Sequence, residues 1–239
     1  MIDFNISEIA PLCEEFGVRI TKEIAEKLNL YGNLLLEWNE KINLTAIKEP
    51  KEVLYKHFYD CILFLKNVDV KTGARLIDVG TGAGFPGMVI KIVRPDLDVV
   101  LLDGLNKRLV FLNDVIEKTG LKGVRTVHMR AEDAGKAARY REAFDIATAR
   151  AVASMPVLLE YCIPFVKQGG FFVAMKGPSV QEEIALCGAA LNTLGCGQPE
   201  IICETLTGNE QRTFVKVKKI SQTPPKYPRK PHDISKQPL

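Results

Sequence analysis

Residues 76–88 read "LIDVGTGAGFPGM", and they admit two readings. Gly82, Gly84 and Gly87 spell G-x-G-x-x-G, the dinucleotide-binding fingerprint. Asp78, Gly80, Gly82 and Gly84 spell D-x-G-x-G-x-G, a pattern of proteins that bind S-adenosylmethionine (SAM). Either way, an apolar run closing on glycine predicts a buried strand and then a tight turn whose backbone can approach a ligand. Two features favour SAM. The strand ends at Gly80, so the turn opens with "GTGAG" and not at Gly82. Asp78 sits just inside the strand end, where a carboxylate repels a pyrophosphate but attracts the ammonium and sulfonium of SAM. On this reading the G-x-G-x-x-G at 82–87 is a coincidence of register, Phe85 is a candidate cofactor wall, and Pro86 stands in the first turn of a helix.

Outward from this turn, strands and helices alternate. Strands are predicted at 98–103, 124–129, 144–149 and 169–177, and helices at 106–120, near 154–162 and at 180–191. Alternation of this kind predicts a parallel, doubly wound sheet. The chain then changes rhythm: "EIICETL" (200–206) and "RTFVKVKKI" (212–220) are two strands with no helix between them, so they must pair antiparallel. A mostly parallel Rossmann-like α/β sheet that ends in an antiparallel hairpin is the class I SAM-dependent methyltransferase arrangement. Residues 1–72 carry no strand signal. Ile20, Ile24, Leu28, Tyr31, Leu35, Trp38 and Ile42 line one face of a helix, and 51–66 form a second. The expected organisation is therefore a helical cap (1–72), a SAM-binding domain (73–220) and an extended, basic, Pro-rich arm (221–239).

The six cysteines show neither zinc spacing nor a disulfide framework, so reduced thiols and no metal are expected. The opening residues lack a basic segment followed by an apolar run, which leads to the expectation of a cytoplasmic protein without a membrane span. The net charge is only +3, but residues 212–239 hold eight Lys and Arg against one Asp. A basic end of this kind points to nucleic acid, the alternative being a solvated terminus.

Asp103 ends the second strand, where an acid accepts hydrogen bonds from ribose hydroxyls. Glu132 and Asp133 follow the third strand and Arg150 the fourth, all at the carboxyl ends where such sheets bind ligands. A nicotinamide enzyme is disfavoured: no Y-x-x-x-K pair and no second domain are present. The Asn/Asp-Pro-Pro-aromatic run of adenine amino-methylases is replaced by "TARAVASM" (148–155), and no Pro-Cys pair supplies the nucleophile of a cytosine-C5 methylase. That fits a nucleophile that already has a free lone pair, such as guanine N7. Such a reaction needs placement and not a general base.

The segments "LLLEWNEKINLTAIKEPKEVLYKHFYD" (34–60), "DVGTGAGFPG" (78–87), "LLDGLNKRLVFL" (101–112), "AED" (131–133), "ARAVA" (149–153) and "TPPKYPRK" (223–230) occur in order, and with them the chain resembles the glucose-inhibited division protein B family, guanine-N7 methyltransferases of bacterial small-subunit ribosomal RNA. The resemblance implies SAM as cofactor and N7 of a guanine in the decoding-region loop of 16S rRNA as target. It implies cofactor contacts at Gly80, Phe85, Asp103, Gly104, Leu105, Ala131, Glu132 and Arg150, to which the loop pattern adds Asp78 and Gly82. Arg150, Arg130 and Lys176 are expected near the reactive guanine, and Lys107, Arg108, Lys226, Arg229 and Lys230 against phosphates. The expected partner is 16S rRNA or the 30S subunit, met by a monomer. The rival readings are a SAM enzyme with another substrate and a non-catalytic ribosome-assembly factor. His57 and Asp60, one turn apart, read as a structural pair, or alternatively as the mouth of the site; Trp38 reads as core in preference to an RNA-stacking platform.

Overall fold

The computed structural model describes residues 2–206 and 210–239. Seven runs rich in aliphatic and aromatic residues become strands: β1 (Arg75–Val79), β2 (Asp98–Asp103), β3 (Val124–His128), β4 (Phe144–Arg150), β5 (Val166–Lys176), β6 (Glu200–Thr205) and β7 (Gln211–Lys218). They form one sheet in the order β3-β2-β1-β4-β5-β7-β6. The first five pair parallel, while β7 runs antiparallel to both β5 and β6. The order reverses between β1 and β4, and a crevice opens at such a point beyond the carboxyl ends of the strands.

The helices are α1 (Ala10–Glu14), α2 (Lys22–Asn39), α3 (Pro50–Val53), α4 (Asp60–Asn67), α5 (Gly87–Val93), α6 (Asn106–Thr119), α7 (Ala131–Ala134), α8 (Met155–Cys162), α9 (Gln181–Ala185), α10 (Gly188–Leu194) and α11 (Pro231–Lys236). The helix expected at 180–191 is two short ones, α9 and α10, divided at Leu186–Cys187 just before Gly188. The helix expected at 51–66 is continuous from α3 to α4 but widens into a π-helical turn over Leu54–Tyr59. Pro86 precedes α5 instead of standing inside its first turn.

The N-terminal helices do not fold around a core of their own. Leu28, Tyr31 and Leu35 of α2 join one apolar cluster with Met88 of α5 and with Phe111, Leu112 and Val115 of α6. Trp38 belongs to the same contact: it packs on Phe111 and donates its indole N–H to Asp114 at 2.8 Å. The buried Tyr31 hydroxyl donates to the carbonyl of Ala83 in the glycine turn. The cap thus reaches the ligand loop through a hydrogen bond as well as through packing on Phe85.

The last 19 residues are not an extended arm. Proline-rich backbone has few N–H groups and leaves its carbonyls in need of donors. Here Arg141 supplies them, donating to the carbonyls of Thr223, Pro224 and Tyr227. Arg229 then grips the buried Glu160 of α8 through both carboxylate oxygens, at 2.9 Å and 2.6 Å. Tyr227 and Ile234 are buried, and α11 rests on α8. Among the described residues, no helix is long and apolar enough to cross a membrane, and no group of three His, Cys, Asp or Glu is disposed to hold a metal ion.

Replacing Tyr31 by Phe leaves the buried Ala83 carbonyl without its donor. Urea unfolding should show a loss of about 1–3 kcal/mol; an unchanged midpoint would mean that the cap and the loop are not coupled through this bond.

Candidate functional site

Asp78 organises the glycine turn from beneath. Its Oδ2 accepts from the Thr81 hydroxyl at 2.6 Å and from the Gly87 amide at 2.9 Å, while Oδ1 is buried without a partner. Burial pushes this carboxyl up to about 6, against the pull of those two bonds. Gly80, Gly82 and Gly84 all have positive φ, a conformation that suits glycine. A Cβ at Gly87 would stand 2.7–2.8 Å from Leu101 and Asp78. Gly87 is therefore also required, as the point of close contact between helix and strand, and the G-x-G-x-x-G reading is not a mere coincidence of register. The two patterns overlap because one turn uses all four glycines.

Above the turn lies a cleft of about 440 Å³. Gly80, Asp103, Gly104, Leu105, Arg108, Arg130, Ala131 and Glu132 line it, joined by Met129, Val152, Tyr161 and Pro231. Asp103 is a hub: Oδ2 accepts from the Gly82 amide (2.9 Å) and from Arg108 (3.3 Å), and Oδ1 accepts from the Leu105 amide (2.8 Å). A carboxylate has about four lone-pair sites, so one remains for a ligand. The Glu132 carboxylate is 7% exposed and has no side-chain ion-pair partner among the described residues. A nearly buried acid facing a cleft fits a ligand that carries positive charge and several donors, as SAM does.

Two expected cofactor contacts sit elsewhere. Asp78 is under the turn, with Oδ2 spent on it, and Phe85 is buried behind it, stacked on His57 at 4.3 Å. Arg150 also turns away from the cleft, into a second cavity of about 330 Å³ lined by His57, Asp60, Lys176, Arg212 and others. Its guanidinium donates to Asp60 Oδ2 (2.6 Å), the Lys56 carbonyl (3.2 Å) and His57 Nδ1 (2.7 Å), and covers the Phe85 ring. Arg212 Nε lies 3.2 Å from the other Asp60 oxygen, in ion-pair range but without hydrogen-bond alignment. Ala151, with φ of 56°, lines both cavities and is where they meet. His57 and Asp60 are not bonded to each other through their side chains; Arg150 bonds both, and both line the second cavity.

Burial, and then the Arg150 charge, push the His57 imidazole down to about 3. Because Arg150 must donate, Nδ1 is the acceptor and Nε2–H donates to the Thr45 hydroxyl at 2.8 Å. Lys176 is likewise engaged, with the Ala153 carbonyl at 3.0 Å and Glu183 at 2.8 Å. The structure therefore separates Arg130, in the first cavity, from Arg150 and Lys176, in the second. Of the expected phosphate contacts, Lys107, Lys226 and Lys230 are exposed, but Arg108 is tied to Asp103 and Arg229 to Glu160. Tyr161 and Pro231 were invisible from sequence. Tyr161 enters from α8, and Pro231 reaches the cleft because the tail folds back over that helix.

Asp103→Ala removes a hydrogen-bonding site for the ligand and releases the Gly82 and Leu105 amides. SAM affinity measured by calorimetry should fall about 10- to 150-fold, corresponding to about 1.5–3 kcal/mol; unchanged affinity would sink the assignment. His57 binds its proton more readily unfolded than folded, so stability is lost as pH falls below about 6.5, the unfolded value. Between pH 7 and pH 5 this contributes roughly 2 kcal/mol of the loss, and His57→Gln should flatten the urea-unfolding profile over that range by the same amount.

Residues 24–212 match the family described as "GidB: rRNA small subunit methyltransferase G". A ribosomal RNA small subunit methyltransferase G of Clostridium botulinum is 50% identical over 228 residues, 95% of each chain. Among solved structures, a SAM-dependent O-methyltransferase from Thermotoga maritima superposes with a TM-score of 0.53 at 17% identity, covering 80% of this chain and 72% of that one. A 16S rRNA adenine-N1 methyltransferase from Catenulisporales acidiphilia superposes with a TM-score of 0.50 at 17% identity, covering 64% and 88%. These two show the fold, a class I SAM-dependent methyltransferase sheet. With the family matched over most of its length and half its residues shared with a full-length relative, the chain belongs to the GidB family of small-subunit rRNA methyltransferases.

Proposed function

We propose that the protein transfers a methyl group from SAM to N7 of a guanine in the decoding-region loop of 16S rRNA, acting as a cytoplasmic monomer on the rRNA or the 30S subunit. The observation that carries this reading is the second cavity, which meets the cofactor cleft at Ala151 and whose two bases, His57 and Asp60, are both held by Arg150. His57 accepts from Arg150 on one nitrogen and gives its proton to Thr45 on the other. Asp60 lies between two guanidiniums. Methylation of an exocyclic amine or of a protonated ring nitrogen must dispose of a proton, whereas N7 of guanine needs only to be placed.

SAM, when bound, supplies an electrophilic methyl group on a cationic sulfur. Glu132 and Asp103 hold positive charge and donors in the first cleft, and Arg130 stands at its rim. Alkylation at N7 leaves the base cationic, so an uncompensated positive wall would oppose it. The second cavity avoids this: Arg150 and Arg212 share Asp60, Lys176 has Glu183, and Lys56 has Glu52 and Glu210. Arg150 and Lys176 thus shape the cavity without making it strongly positive. Positioning of this kind can lower a barrier by up to about 7–11 kcal/mol.

Incubation with labelled SAM and small-subunit rRNA or 30S particles, followed by borohydride–aniline cleavage, tests the reading directly. Label should enter 16S rRNA, with strand scission at one guanine of the decoding region. Labelled rRNA that resists cleavage would exclude N7, label on ribosomal protein would exclude the RNA target, and no transfer at all would favour an assembly factor.

A further inference from the structure

We propose that the groove along the outer edge of β3 is a second RNA contact, which holds backbone phosphates of the strand flanking the target base. It lies far around the sheet from the second cavity, between β3 and the 136–141 loop, and has a volume of about 560 Å³. Arg75, Arg125 and Arg139 line it, with Thr126, His128 and Tyr140. The charge in it is poorly compensated. Arg75 and Arg125 share one carboxylate, Asp98, at 3.3 Å and 2.6 Å. Arg139 lies 4.5 Å above the Tyr140 ring and has no ion-pair partner among the described residues. Three guanidiniums against one carboxylate leave a surplus of positive charge in an open groove, and Arg75 and Arg125 keep about two-fifths of their side-chain surface exposed.

The three arginines have different supports. Arg75 is built into the fold: it donates to the Ala143 carbonyl at 2.9 Å and lies over Phe144. Arg125 is held by Asp98 alone, and Arg139 rests on the Tyr140 ring without an ion-pair partner among the described residues. Their exposed guanidiniums cost side-chain entropy to hold in place and contribute little through exposed ion pairs. An extended anion would use them, because a guanidinium fork matches a phosphate bidentately.

The shape favours a strand over a small ion. The groove runs along β3, roughly 15 Å of backbone at 3.3 Å per residue, with Arg75 and Arg125 meeting at Asp98 at one end and His128 at the other. Arg125 and Arg75 stand at the amino ends of their strands. At the other end of β3, His128 lies 3.1 Å from the Gly104 carbonyl, and Gly104 packs against Arg130 at the rim of the cofactor cleft. The groove thus ends beside the cleft, with Arg125 at its far end and Arg130 at the cleft rim. An exposed sheet edge is ordinarily guarded against pairing with other strands by charge; here the guarding charges all have one sign on the groove side.

This proposal rests on rRNA being the substrate. The test uses the full-length protein and a small-subunit rRNA fragment, with affinity measured across a salt series. The Arg125→Ala/Arg139→Ala double variant should lower the slope of log K against log salt by about 1.4–1.8, since each phosphate left without its cation accounts for about 0.7–0.9. SAM affinity and the urea midpoint should stay at the wild-type values. Arg139→Glu alone should weaken RNA binding further, and it touches only an aromatic ring. Failure of the wild-type protein to bind the fragment would overturn the rRNA reading itself. Normal wild-type binding with an unchanged slope in both variants would overturn only the groove. An unchanged RNA slope together with phosphate binding that disappears in the variants would assign the groove to a small anion and likewise overturn it.

Discussion

The ion pair between Asp60 and Arg150 is the constraint on which the site depends. Asp60 comes from α4 in the N-terminal cap, Arg150 from the end of β4 beside the switch point, and the carboxylate is 1% exposed. Burying two charges is expensive, several kcal/mol per ion, and is offset only when further hydrogen bonds complete the geometry. Burial pushes the Asp60 carboxyl above its usual range, against the pull of Arg150 and Arg212. Arg150 spends its other donors on His57 and the Lys56 carbonyl, and its flat face on Phe85. Phe85 is thereby packed against the cap on both sides, by His57 and by Tyr31. The ligand turn takes its shape as much from a helix hairpin 20 to 50 residues earlier as from its own glycines.

This arrangement explains why the N-terminal helices belong to the chemistry. Without them Arg150 would be an unpaired cation at the end of a strand, and Phe85 an exposed aromatic in a mobile-prone glycine turn. With them, two cavities stand back to back across Ala151, one with an open acid at Glu132 and one electrically balanced. The π-helical turn at Leu54–Tyr59 contributes directly: it carries His57 into the wall and ends at Asp60. Wide turns of this kind recur at functional sites because they re-aim side chains that a regular helix would direct elsewhere.

Much of this was legible in the sequence, for reasons of range. β2 was read to the residue, because "DVVLLD" is buried on both faces and bounded by polar residues. The antiparallel end followed from chain connectivity alone. Asp103 and Glu132 could be brought to one cleft because parallel strands align their carboxyl ends, and the family resemblance adds Gly104, Leu105 and Ala131 beside them. Several of the failures are long-range. Nothing near Arg229 announces Glu160, nothing near Tyr161 announces Pro231, and the position of Phe85 is decided by His57 and Tyr31. Spacing reveals which end of a strand a residue occupies. It does not reveal which of two neighbouring cavities the side chain enters, as Arg150 demonstrates.

The basic C-terminus illustrates the same limit for electrostatics. A count of charges treats each cation as available to a partner, but a folded chain spends some of them internally. Of the eight cations after residue 211, Arg212, Lys216, Lys219 and Arg229 have carboxylate partners. Lys219 is fully buried, and Arg229 is the clamp that brings Pro231 to the cofactor cleft. Lys226 and Lys230 remain in the solvent, close in sequence to that same wall. The tail therefore acts first as architecture: it completes the cofactor cleft, and only its residual charge faces outward. A positive field for RNA must then be sought where cations outnumber their own acids in space and not only along the chain, and the β3 groove, with three guanidiniums against one carboxylate, meets that criterion although composition does not single it out.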